Sequence, residues 1–253
     1  MNEPYNSWKS FYRKQYGGQW RGFAQSLAKQ PYHVRYQNTC LASLQHITGR
    51  MLEVGVGRGD LLSQMPHESC GLYGCDLSEG NIAGCAERFS ELQREVYLCH
   101  TDAENIPYLS DSFDAVYSLS VMWYVPDYHT AISEMFRVAK PGGLVLFDML
   151  NAFHITSISN HLWRMACRVF GRELGHTSLA SPSSLLDAIK PYASEYNLYG
   201  NYLLLPAGLP VLKETGNLCR FVPSMAYAMT ESPLRGLSHK LLVVAKKKQH
   251  EIT

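Results

Sequence analysis

The chain has 253 residues, of which 46% are hydrophobic and 18% charged, and its formal net charge at neutral pH is +1. That length suits one α/β domain with additions, and the near-neutral charge gives no global attraction toward nucleic acid or an anionic membrane surface. No stretch reaches the roughly 18 apolar residues that a membrane-spanning helix needs, and Met1 to Arg21 is too polar to read as a signal peptide.

In chain order, Trp8, Phe11, Tyr12 and Tyr16 recur at helical spacing before Gly17-Gly18 breaks the run, and a second helical stretch extends from Tyr32 to Ile47. Residues 1–48 are expected to form a helical cap. Arg50–Val54 reads as a short buried strand, followed by a glycine turn and a helix near Asp60–Met65. Gly71–Asp76 is a strand, Glu79–Gln93 a helix, and Glu95–His100 and Phe113–Leu119 further strands. Asp127–Ala139 is a helix, Pro141-Gly142-Gly143 a turn and Leu144–Leu150 a very apolar strand. Strands alternating with helices predict a parallel sheet covered on both faces. Ser181 followed by Pro182 starts a helix, a cap and then proline in the first turn, which runs to about Lys190. Strands near Glu195–Leu204 and Ser238–Lys246 follow, so the core comprises 49–205 and 237–247. The intervening segment 206–236, rich in Pro, Leu and Met, is too long for a hairpin turn and reads either as a lid over the site or as the arm of a homodimer. Lys246-Lys247-Lys248, the one basic run, reads as solvated, with a flexible tail over 248–253. Seven cysteines are scattered without a C-x-x-C pair, which points to free thiols in a reducing cytoplasm.

The first strand ends in Glu53-Val54-Gly55-Val56-Gly57-Arg58-Gly59, a turn in which backbone can approach a ligand closely. The dinucleotide pattern G-x-G-x-x-G would need glycine at position 60, where this chain has Asp60. Glu53 beneath the turn would repel a pyrophosphate and favour a cationic nucleoside without phosphate. Asp76 at the tip of the second strand can accept from both ribose hydroxyls, although Asp76-Leu77-Ser78 also suits a plain helix cap. In Thr101-Asp102-Ala103-Glu104-Asn105-Ile106-Pro107, a short acidic side chain can accept from an adenine amino group.

With these elements in this order, residues from about 48 to 150 resemble the class I S-adenosylmethionine-dependent methyltransferases. The likeness is to the metal-independent small-molecule branch related to ubiquinone-pathway and polyketide-tailoring enzymes. The matching stretches are Leu52–Gly59, Gly74–Leu77, Thr101–Pro107, Asp111–Val125 and Phe136–Gly143, with the run Arg137 to Leu144 especially characteristic. The resemblance implies that Glu53, Gly55, Val56 and Gly57 hold the methionine end, Asp76 and Leu77 the ribose, and Asp102, Ala103 and Glu104 the adenine. Ser118 and Leu119 would line the pocket near the methionine backbone. It also implies a Rossmann-like, doubly wound, seven-stranded and mostly parallel sheet whose last strand is antiparallel. One departure stands out: several relatives carry histidine after the fourth strand, where this chain has Ser120-Val121-Met122-Trp123-Tyr124.

A sulfonium methyl is already activated, so a base is needed only where the acceptor must lose a proton. The candidates are His154 after the fifth strand, Tyr124 after the fourth and His176 before the Ser181 helix, each of which also has a plain packing or surface reading. Asp148 and Asn151 lie near the fifth strand with no third ligand in view, so no metal is expected. Trp8, Tyr12, Tyr16 and Trp20 either pack the capping helix or wall an apolar acceptor, with Leu203–Leu212 and Phe221–Met229 completing a lid. The acceptor is therefore expected to be an apolar or amphipathic small molecule rather than nucleic acid. Two rival functions are a catalytically silent S-adenosylmethionine-binding accessory protein and an NAD-dependent oxidoreductase, the latter disfavoured by Asp60 and Glu53.

Overall fold

The structure, a computed structural model, describes residues 40–66, 68, 70–154, 157, 176–201 and 237–249. Numbering only the described elements, β1 (Gly49–Val54) leads to β2 (Cys70–Asp76), α1 (Glu79–Glu91), β3 (Tyr97–His100) and β4 (Phe113–Ser118). Then come α2 (Tyr128–Val138), β5 (Ala139–Leu150), α3 (Pro182–Ile189), β6 (Ala193–Asn201) and β7 (Lys240–Lys247). The seven strands form one sheet in the order β3-β2-β1-β4-β5-β7-β6. β1 through β5 pair in parallel, and β7 runs antiparallel to both its neighbours, β5 and β6. The expected Rossmann-like architecture is present, with the antiparallel strand seated inside the sheet rather than at its edge.

Alternate residues of the central strands feed two cores, as strand geometry requires. Leu52 and Val54 of β1 join Val116, Phe136, Leu185, Ile189 and Val243 on one face. Met51 joins Leu44, Phe89, Tyr117, Leu146 and Leu242 on the other. Burial on both faces is why these strands read as continuous apolar runs. Side chains cap the helices, at Ser78 and Ser181 as anticipated: Ser78 accepts from Asn81 N–H, Ser181 from Ser184 N–H with Pro182 in the first turn, and Asp127 from Thr130 N–H.

Several expectations need correction. The helix expected at Asp60–Met65 is a single 3-10 turn, Leu62–Gln64. The Pro141-Gly142-Gly143 turn lies inside β5: the strand pairs from Ala139, and its register on β4 jumps from Phe113↔Ala139 to Ala115↔Leu144. The extra residues form an irregularity around Gly142, whose φ is 75°. The basic run is not a tail: Lys246 and Lys247 belong to β7, although Lys246 and Lys248 stay exposed as expected. Lys246 pairs with Glu195, Lys247 Nζ reaches Asp111 and the carbonyls of Arg137 and Ala139, and Lys248 N–H donates to Tyr192. Long aliphatic stems let lysines close an apolar strand while their ammonium groups find oxygen at the sheet end. In the expected cap, residues 40–44 are helical, with Cys40 and Leu44 buried against the sheet. The aromatic set from Trp8 to Trp20, the segment 206–236 and its expected lid or dimer arm lie outside the described residues.

Candidate functional site

Parallel strands deliver their carboxyl ends, and the loops that follow, to one edge of the sheet. At that edge Gly55, Gly57 and Gly59 have φ of 77°, 55° and 75°, left-handed values that favour glycine. Their surroundings differ. A Cβ on Gly55 would come within 2.3 Å of Val121, and one on Gly59 within 2.7 Å of Cys85 Sγ. A Cβ on Gly57 would meet nothing within 4 Å. Gly55 and Gly59 thus let neighbouring segments close in, and Gly57 alone faces open space.

Four amides of this turn are already engaged within the protein. Gly55 and Val56 N–H donate to Cys75 O at 2.8 and 2.9 Å, and Gly59 N–H to Val56 O at 2.9 Å. Gly57 N–H donates to Asp76 Oδ2 at 2.9 Å. Asp60, where a dinucleotide turn would carry glycine, is paired with Arg88 of α1.

Asp76 receives Ser78 N–H at 2.8 Å and Asn81 Nδ2 at 3.2 Å on its other oxygen. Its burial raises the carboxyl pKa, opposed by the amides of Ser78 and Gly57 and by Asn81. The acid therefore stabilises the entry to α1, as the cap reading expects, and also binds the glycine turn to the tip of β2. Leu77 follows it, half-buried, its carbonyl within 2.9 Å of His100 Nε2.

Glu53 is buried on the Tyr117 side of the sheet, with the Tyr117 hydroxyl 3.4 Å from Oε2. Burial drives its pKa well up, against hydrogen bonds from Tyr117 and the Leu62 backbone, and the nearby Asp60 and Asp76 push the same way. An acid so placed gains from any cation brought to this edge.

In the third loop Asp102 Oδ1 accepts from Glu104 N–H at 3.1 Å. Ala103 packs against the core, and Glu104 Oε1 accepts from Asp127 N–H at 3.2 Å, which commits Glu104 to the start of α2. The loop is clamped from below. Glu134 Oε2 accepts from Ile106 N–H, while Arg137 donates to Glu134 and to the carbonyls of Ile106 and Tyr108. Ser118 Oγ is fully buried and donates to Val54 O at 2.8 Å, and Leu119 is half-buried beside it.

Sequence reasoning missed a buried charge pair where β4, β5 and β7 meet. Asp148 is fully buried. Its Oδ1 accepts from Ser120 N–H at 2.6 Å and its Oδ2 from Lys240 Nζ at 3.2 Å. Lys240 also donates to Ser120 Oγ at 3.0 Å and lies 4.3 Å from the Trp123 ring centroid. Ser120 has a φ of 63°, a strained value for serine held by these bonds. Asp148, weighed above as half of a metal site, instead balances a lysine. The signal was available: an aspartate in the apolar run Val145–Leu150 demands a cation, and Lys240 opens an equally apolar strand.

Of the three base candidates, His154 is buried and sits with its Nδ1 3.4 Å from Nδ1 of His239, a residue the sequence reading passed over. His176 Nε2 lies 2.8 Å from Ser178 Oγ, and Ser178 is tied to the carbonyls of Val125 and Trp123. His176 thus belongs with the segment after β4 that carries Tyr124. Lys240, in contact with Trp123 and adjacent to His239 in the chain, joins that segment to the His154 pair.

Residues 52–147 match a protein family described as a methyltransferase domain. A malonyl-[acyl-carrier protein] O-methyltransferase from Marinomonas sp. is 34% identical over 157 residues, which is 60% of this chain and 54% of that protein. The chain spans about half the length of the curated relatives it matches. Among solved structures, phosphoethanolamine N-methyltransferase 2 from Haemonchus contortus, in complex with phosphomonomethylethanolamine and S-adenosylhomocysteine, superposes with a TM-score of 0.61 at 20% identity over 87% of this chain and 54% of that one. The [4+2]-cyclase SpnF superposes with a TM-score of 0.55 at 17% identity over 85% of this chain and 80% of that one. These superpositions establish the shared fold.

Proposed function

Residues 52–147 being a methyltransferase domain of the class I fold, we propose that this chain transfers the methyl group of S-adenosylmethionine to an apolar or amphipathic small molecule. The carrying observation is the disposition of the glycine turn: the amides of Gly55, Val56 and Gly57 are spent on Cys75 and Asp76, and open space stands above Gly57. A pyrophosphate needs such amides free to cradle it. A nucleoside without phosphate, bearing an ammonium and a sulfonium, needs carboxylates instead, and Glu53, Asp76 and Asp102 stand at the ends of β1 and β2 and after β3. In this reading Gly55, Val56 and Gly57 border the methionine end with Ser118 and Leu119. Asp76 and Leu77 meet the ribose, and Asp102 and Ala103 the adenine. Glu104, bound to Asp127, supports that loop rather than touching the donor.

The transfer is an in-line displacement. The acceptor's lone pair bonds to the methyl carbon as the carbon–sulfur pair returns to sulfur, leaving a neutral thioether. Alignment in a water-poor cleft supplies much of the rate. The apolar character of the acceptor is supported by Phe153 and Leu237, 60% and 54% exposed, beside the His154 and His239 positions in the chain. His154 is the base where the acceptor carries a proton. His154→Gln lowers kcat about 100-fold, within the usual range for a general base, and leaves donor affinity within about twofold. Equal turnover in variant and parent removes His154 from the mechanism.

Calorimetry decides the cofactor class. S-adenosylhomocysteine should bind and NAD+ should give no heat; the reverse overturns the reading. The second reading, a silent donor-binding accessory protein, is kept because a cyclase shares this fold. A panel of phenol, amine and carboxylic acid acceptors separates the two, since release of S-adenosylhomocysteine with any of them excludes a silent protein.

A further inference from the structure

The chain leaving β4 touches the first strand and its glycine turn at two points, and the residues between them border the proposed donor site. At the end of β4, Ser118 Oγ donates to Val54 O at 2.8 Å. Further on, Val121 fills the place that a side chain would take at Gly55: a Cβ there would fall 2.3 and 2.8 Å from the two Val121 methyl carbons. Leu119 and Ser120, both half-buried, lie between these points. The gap between this loop and the glycine turn therefore depends on where Val121 is seated.

That seat depends on Ser120. Its φ of 63° is left-handed, and the direction in which the chain leaves residue 120 follows from it. Serine does not favour this region, so other groups must hold it there. The two bonds that do so come from strands remote in sequence. Asp148 Oδ1 accepts Ser120 N–H at 2.6 Å, and Lys240 Nζ donates to Ser120 Oγ at 3.0 Å. The antiparallel register sets Lys240 opposite Leu150 and Leu242 opposite Asp148, so the two ionic side chains share one face of the sheet and Nζ reaches Asp148 Oδ2 at 3.2 Å. Each ion thus spends one bond on its partner and one on Ser120. Both are buried, so neither can shift without stranding the other.

We infer that Asp148 and Lys240 are positioning residues for the methyl donor: they hold Ser120 in left-handed backbone, which seats Val121 on Gly55 and fixes the width of the slot between Leu119 and the glycine turn. The inference rests on the methyl-transfer reading above and adds what shapes its donor site. The pair acts through Ser120 and Val121. Donor affinity is therefore the quantity that depends on it.

Lys240→Met combined with Asp148→Leu replaces the ion pair by apolar side chains of similar size, an exchange that cores tolerate. The double variant should stay folded by urea unfolding, yet bind S-adenosylhomocysteine about tenfold more weakly by calorimetry, the affinity equivalent of the left-handed penalty that Ser120 then carries unaided. Adding Ser120→Gly, which takes left-handed backbone freely, should recover most of that affinity. Glycine would not repair a general loosening of the fold, so absence of recovery overturns the inference, as does parent-like affinity in the double variant. Ser120→Val keeps the ion pair and decides the matter should the double variant fail to fold. A β-branched residue resists left-handed backbone, so affinity should again fall about tenfold, and unchanged affinity overturns the inference. Proton NMR of the donor-free parent should show an Overhauser contact between the Val121 methyls and Gly55 Hα, lost in both the double variant and Ser120→Val. Failure of the parent to bind S-adenosylhomocysteine defeats the methyl-transfer reading and with it the donor role; the Overhauser contact still decides whether the pair seats Val121.

Discussion

Three glycines in one turn share a backbone conformation and do different work. Gly55 and Gly59 leave no room for a Cβ, because Val121 and Cys85 occupy the space, whereas Gly57 borders a void. Gly55→Ala therefore combines left-handed strain with overpacking and should cost about 2–4 kcal/mol in urea unfolding. Gly57→Ala carries the strain alone, about 1–2 kcal/mol, yet should weaken S-adenosylhomocysteine binding at least tenfold if, as proposed, the donor lies above Gly57. If Gly57→Ala bound as tightly as parent, the donor would have to lie elsewhere. The G-x-G-x-G spelling showed that the turn was tight, but which glycine faces open space depends on Val121 and Cys85, residues remote in sequence.

Between elements, the characteristic run from Arg137 has a mechanical explanation. Arg137 and Glu134, one turn apart on α2, clamp the loop after β3 by binding both the carbonyl and the amide of Ile106. The hydrogen bond from Arg137 holds the Glu134 carboxyl below the ordinary range, against a smaller push from burial. Because the folded value is lowered, the stability it contributes is present above the unfolded carboxyl range, about pH 4.3, and is lost as pH falls through the folded value. Glu134→Gln should flatten the stability curve between about pH 5 and pH 3, and parallel parent and variant curves there would refute the clamp as a source of acid sensitivity. The capping residues Ser78 and Ser181 were legible in the sequence because each acts on its own helix. The clamp was not, because its partners lie 28 to 31 residues apart.

Across the whole molecule, the buried Lys240–Asp148 pair joins the last strand to the loop after β4. A buried ion pair adds little against well-packed apolar residues, but stranding one member is expensive. Lys240→Met should cost about 3–5 kcal/mol, read by urea unfolding, because Asp148 is left charged in the core. Adding Asp148→Asn should recover much of that loss, since a neutral amide still accepts from Ser120 N–H. A double variant as unstable as the single one would show that Lys240 acts through its contact with Trp123 instead.

Local order in the sequence determined the alternation of strands and helices, two of the helix caps, the glycine turn and the acids at the ends of β1 and β2 and after β3. Each of these depends on residues within a few positions of one another, where periodicity and backbone chemistry operate. Only the tertiary structure decided that the amides of Gly55, Val56 and Gly57 are taken up by β2, that Asp148 is answered by Lys240 and that His154 faces His239. Those pairings span 19 to 92 residues and arise from the sheet order, which sets β2 beside β1 and inserts β7 between β5 and β6. A linear chain carries the charges, but the energy of a buried pair depends on the distance and solvent exclusion that folding imposes.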